Sequence, residues 1–88
     1  MRIEFDPKKA KSNRRKHGVT FEEAETCLLD PYALVQEDPD TNNEARFVLI
    51  GLSNQARLLT VVYSLPEEET VRLISARLST TKEANYYA

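Results

Sequence analysis

The chain has 88 residues, of which 41 per cent are apolar and 30 per cent charged, and a formal net charge of −2. That length allows one domain, 1–88, with a thin core that buries roughly 60 to 65 per cent of the surface the unfolded chain exposes. No run approaches the ~20 apolar residues of a membrane span, the N-terminus lacks the apolar stretch of a secretory signal, and a single cysteine rules out an internal disulfide or a cysteine-built metal site; a cytoplasmic location is expected.

The mild acidity hides a polarised arrangement. Residues 1–17 carry seven basic side chains against two acidic ones, a net of +5, and residues 18–45 carry eight acidic side chains and no basic one. One end can attract phosphate and the other a basic protein, or both runs are simply solvated faces.

Arg2 to Phe5 alternates as a short strand, after which Asp6 and Pro7 supply an N-cap and a first-turn proline. A helix is predicted from Pro7 to His17, closed by Gly18 and favoured at its end by Arg14, Arg15, Lys16 and His17. Its inward stripe is Ala10, Asn13, Arg14 and His17, so it has almost no apolar face, and Asn13 is expected to hydrogen-bond inward in place of missing apolar contacts. Thr20 and Glu23 match a capping box opening a second helix, whose stripe of Phe21, Ala24, Cys27 and Leu28 docks on a core and which Asp30 and Pro31 stop.

Ala33 to Gln36 reads as a strand and Asp38 to Asn43 as a turn. Arg46 to Leu52 and Leu58 to Tyr63, apolar on both faces, suit a central hairpin. A loop from Leu65 to Thr70 leads to a fifth strand, Val71 to Leu78. Strict alternation there puts Ser75 and Arg77 with Leu73, and Arg72 with Ile74 and Ala76. Thr80 and Glu83 repeat the capping box before a short last helix through Tyr87. The order β-α-α-β-β-β-β-α implies an α+β domain: a small twisted antiparallel sheet, two N-terminal helices on one face, and a short C-terminal helix.

No metal-ligand spacing, phosphate-cradling glycine loop or Ser/His/Asp triad is present. The informative polar groups are the basic helix with its Lys16 and His17, Arg46, Arg72 and Arg77 on strands, and Glu83 and Tyr87 on the last helix. An arginine amid apolar residues needs an anion. Either Glu83 pairs with Arg77 inside the protein, or Arg72 and Arg77 project into a hollow that grips a phosphodiester. RNA cleavage then needs little more, because the 2′-hydroxyl is a built-in nucleophile that can be aligned and its developing charge neutralised without a metal. His17, the lone histidine, is either a helix C-cap or a proton-transfer group, and the roles are compatible.

At this point the residues resemble a family. "EFDPKKAKSNRRKHGVTFEEA" from Glu4, "RFVLIG" from Arg46 and "VRLISARLSTTKEANYY" from Val71 are similar, in order and spacing, to the signature blocks of BrnT toxins. The resemblance implies a RelE-like fold, a ribonuclease that arrests growth, no cofactor, and a BrnA-type ribbon-helix-helix antitoxin through which alone operator DNA is bound. It also implies that Lys9, Lys16, His17, Arg46, Arg72, Arg77 and Glu83 occupy the family's polar positions. His17, Arg46, Arg72 and Arg77 are thus the candidate catalytic residues, Lys9, Arg14, Arg15 and Lys16 the candidate RNA contacts, and Glu83 and Tyr87 their supports. Two departures stand out: Phe5 replaces a common tryptophan, and Leu78, Ser79 and Ala84 are uncharged where the family is often basic. A non-catalytic module that docks a partner and tunes its DNA binding is the other class of function compatible with the acidic stretch.

Overall fold

The computed structural model describes residues 1–39 and 44–87. In chain order they form β1 (Arg2–Glu4), α1 (Pro7–His17), α2 (Phe21–Cys27), β2 (Leu34–Asp38), β3 (Arg46–Leu52), β4 (Leu58–Glu67), β5 (Thr70–Leu78) and α3 (Thr81–Tyr86). The 40–43 part of the expected turn lies outside the described residues. One five-stranded sheet has the order β1-β5-β4-β3-β2.

The α+β class and the element order match expectation, but the sheet is mixed rather than antiparallel. β1 runs parallel to β5, with Ile3 opposite Val71, while the other three pairings are antiparallel. Hairpins force antiparallel neighbours, whereas β1 reaches β5 only after two helices and three strands, so no local turn sets its direction.

Local chemistry places the helix ends. Asp6 accepts a hydrogen bond from the Lys8 N–H (2.9 Å), and Gly18, at φ 67°, donates its N–H to the Arg14 carbonyl (2.9 Å). Thr20 caps α2 by accepting from the Glu23 N–H (3.1 Å). The reciprocal half of that capping box is missing, because the buried Glu23 carboxylate turns instead to the Ser53 hydroxyl (2.6 Å) and the Arg57 guanidinium. At α3 the box is complete.

Both helices cover one face of the sheet. Val19, Phe21, Ala24 and Cys27 meet Leu49, Leu59, Val61, Tyr63, Val71, Leu73 and Ala76 in a single core. Phe5 packs edge-on against Phe21 (5.2 Å between centroids), so the tryptophan replacement keeps an aromatic contact there. At Gly51 a Cβ would lie 2.9 Å from Leu49 Cδ2 and 3.1 Å from the Cys27 carbonyl, so any larger residue would push α2 a few tenths of an ångström away from β3.

α1 is held differently. Its only buried residue is Asn13, whose amide donates to the carbonyls of Val19 (3.0 Å) and Ala76 (2.8 Å) and accepts from the Ala76 N–H (3.0 Å). The side chain thus pairs with β5 as a neighbouring strand would. Replacing Asn13 by Ala leaves these buried groups unpaired and is expected to cost about 2–3 kcal/mol, lowering the Tm by roughly 10–20 °C in thermal and urea unfolding.

Candidate active site

Three strand arginines, Arg46, Arg72 and Arg77, lie on the face of the sheet away from α1 and α2. Arg46 and Arg72 are both in register with Ser64, and Arg77 is in register with Thr60. Strict alternation would have separated Arg72 from Arg77. A bulge intervenes: Val62 pairs with Ser75 but Tyr63 with Leu73, leaving Ile74 extra. Leu73 and Ala76 therefore both reach the core, and Arg72, Ser75 and Arg77 all face the other way. The shared face is not a shared hollow, since Thr60 and Ser64 are four residues apart on β4, about 13 Å.

The arginines differ in what holds them. Arg77 makes a two-pronged pair with Glu83 (2.7 and 2.8 Å), whose carboxylate also accepts from the Thr60 hydroxyl (3.0 Å) and the Thr80 N–H (2.8 Å). Arg77 and these donors hold the Glu83 carboxyl down at about 2. The internal pairing foreseen for Arg77 is thus formed. Arg72 is half-exposed and makes single contacts to Glu4 (2.9 Å) and Glu44 (3.5 Å). Among the described residues Arg46 enters no ion pair.

The bulge also shapes a groove along the edge of β5 that β1 leaves uncovered. A hollow of about 270 Å³ is lined by Glu4, Asp6, Lys9, Arg72 and Ile74, and a second, of about 180 Å³, by Lys9, Lys16, His17, Ile74 and Ser75. Lys9 and Ile74 line both, so the two hollows adjoin at these residues. Lys9, Ser12, Asn13 and Lys16 follow the spacing of one helix face, so the contact that anchors α1 also aims its lysines at this groove.

The structure therefore gathers Lys9, Lys16 and His17 at one hollow and Lys9 and Arg72 at the adjoining one. It separates them from Arg14, which lines a different hollow between α1 and α2, and from Arg15, which is exposed and lines neither part of the groove. Tyr87 is remote from the groove: its hydroxyl donates to Asp30 (2.6 Å), which pushes the phenol up to about 12. Asp30 also accepts from the Leu52 N–H (2.8 Å) and the Tyr32 N–H (3.0 Å), fixing the chain end to the turn after α2. The carboxylates restraining Arg72 were not expected from sequence, and only the β1–β5 pairing reveals Glu4. No group of three or more His, Cys, Asp or Glu among the described residues could hold a metal ion, and no described helix is long and apolar enough to cross a membrane.

Comparison with known proteins bears on this arrangement. A family model described as the ribonuclease toxin BrnT of type II toxin-antitoxin systems matches residues 5–83. The chain belongs to the BrnT family. The 1.1 Å crystal structure of the Brucella abortus ribonuclease toxin BrnT is similar over 92 per cent of this chain and 99 per cent of that one, with a TM-score of 0.71 and 28 per cent identity. No curated protein matches. The family assignment covers the BrnT-like first helix, the bulged β5 and the Thr80–Glu83 box alike.

The Glu83 hub predicts a pH dependence. A folded-state value near 2 against an ordinary 4.5 means stability that is present above the ordinary value and is lost as pH falls through the folded one. The Glu83→Gln variant, which cannot titrate, is expected to have a lower Tm than the unchanged protein at neutral pH. The two Tm curves should converge between about pH 5 and pH 2 in a calorimetric pH series.

Proposed function

We propose that this chain is the toxin of a type II pair: an endoribonuclease that cuts RNA without requiring a metal, arrests growth, and is neutralised by a BrnA-type ribbon-helix-helix antitoxin. The observation that carries this reading is the pair of adjoining hollows beside the β5 bulge, sharing Lys9 and Ile74, of which one is lined by Lys16 and His17 and the other by Arg72. A strand of RNA laid along that edge meets Lys9, Lys16 and His17 from α1 and Arg72 from β5, with Glu4 and Asp6 beside the arginine.

The chemistry follows from the substrate. The 2′-hydroxyl attacks the adjacent phosphorus, the 5′-oxygen leaves, and charge builds on the non-bridging oxygens between. Arg72 and the two lysines neutralise that charge, and His17 moves a proton to or from the reacting oxygens. RNA must displace Glu4 and Glu44 from Arg72, which exposed single contacts permit. Arg77 is different. Its carboxylate partner is saturated with donors, which supports a role in fastening α3 to the sheet rather than in gripping phosphate.

An antitoxin that covers α1 and the open sheet face would block this groove sterically, and operator DNA would be bound only through that antitoxin. A non-catalytic co-repressor is the second reading, favoured by the internal pairing of both Arg72 and Arg77. Expression of the chain alone in a bacterial host separates the two, since a co-repressor leaves growth unchanged and a ribonuclease halts it.

In EDTA the purified protein is expected to cleave RNA. Arg72→Ala should lower the rate on the order of 10²-fold with an unchanged Tm, whereas Arg77→Ala should lower the Tm. Intact RNA in the presence of folded protein would sink the catalytic reading. Lys9→Ala and Lys16→Ala should each weaken RNA binding and flatten its salt dependence by about one counterion.

A further inference from the structure

One register row crosses the whole sheet on its open face: Asp38, Arg46, Ser64, Arg72 and Glu4, one residue from each strand. Its chemical order is carboxylate, guanidinium, hydroxyl, guanidinium, carboxylate. Ser64, at the centre, is fully buried, and its Oγ is the one buried side-chain nitrogen or oxygen among the described residues with no hydrogen-bond partner. Leaving such a group unsatisfied costs about 1–3 kcal/mol, so its retention needs a reason.

The row leaves the Ser64 proton without an acceptor. Its two flanking side chains are arginines, which could donate to the hydroxyl oxygen but are not bonded to it and can take no proton from it, and the carboxylates that could take it lie one strand further out, about 10 Å away across two strand spacings. What the centre lacks is an acceptor. An oxyanion seated between the two guanidiniums would supply it, taking the Ser64 proton while each arginine closes from its own side. The flanking side chains are free enough to do so, since Arg72 is half-exposed on single contacts and Arg46 enters no ion pair among the described residues.

We propose that Arg46, Ser64 and Arg72 form a second phosphate seat, with Ser64 as a positioning residue, next to the groove that holds the scissile linkage. Arg72 belongs to both, lining the groove with Lys9 and standing beside Ser64 in the row. The seat rests on the ribonuclease reading for its natural ligand: a neighbouring phosphate of the same RNA strand, held where the strand crosses from the β5 edge onto the open face. Ser64 is fully buried in the free protein, so a phosphate reaches the hydroxyl only when the side chains above it give way.

Ser64→Ala tests this in the full chain, with a short oligonucleotide whose 2′-hydroxyls are replaced by hydrogen as an uncleavable probe. A merely structural serine without a partner predicts an unchanged or raised Tm and unchanged binding. The seat predicts that same Tm but about tenfold weaker probe binding, the scale of one hydrogen bond to a charged group. It further predicts that Ser64→Ala adds little once Arg46 is Ala. Binding equal to the unchanged protein, or a fall in Tm that accounts for the loss, overturns the seat. If RNA is cut in EDTA while Ser64→Ala binds normally, the seat fails and the ribonuclease reading stands. If the probe binds in a Ser64-dependent way but RNA stays intact, the seat stands and the ribonuclease reading fails.

Discussion

The side chain of Asn13 is the contact on which the rest depends. A helix whose sequence offers almost no apolar stripe cannot be held by burial alone, and here an amide completes three hydrogen bonds with buried backbone instead. Because an amide has the same donor and acceptor as a peptide group, it can satisfy the edge of β5 at Ala76 as a strand would. The distance between α1 and β5 is thereby set by hydrogen-bond length rather than by side-chain bulk. The faces of α1 that a conventional amphipathic helix would give to leucine are left for lysine, and one of them lines the groove.

A second theme is that arginines of one type serve different ends according to their carboxylates. Arg57 meets the buried Glu23 and ties the β3–β4 turn to the start of α2. Arg77 meets Glu83 and ties α3 to β4 and β5. Both acids have their carboxyls lowered by those pairings, the mark of groups committed to the fold. Arg72 is held by exposed carboxylates and Arg46 enters no ion pair among the described residues, so these two can be redirected toward a ligand.

What sequence revealed and what it did not divides along the range of the interactions. Asp6–Pro7, Gly18 and Thr80–Glu83 act within a turn of themselves, and the helix ends they imply are those observed. The apolar stripe of α2 and the central hairpin also follow from local periodicity. The direction of β1, the partner of Glu23 and the row through Ser64 depend on residues distant in the chain, and no local pattern carries them. The site shows the same division. Lys9, Lys16 and His17 share a helix and could be grouped by spacing, but placing Arg72 beside them requires knowing that Ile74 is the extra residue of a bulge. Period-two reading across that residue inverts every later side chain, so strict alternation puts Arg77 on the opposite face.

The thiol of Cys27 carries a last consequence. It is wholly enclosed where α2 meets β3, its hydrogen directed to the Gly51 carbonyl at 3.5 Å, and enclosure pushes its pKa up to about 12. A sulfur that is both walled off and protonated is inert toward alkylating reagents. The protein thus carries its own stopwatch: modification of that one atom can proceed only as fast as α2 lifts from the sheet, and so times the opening of the core itself.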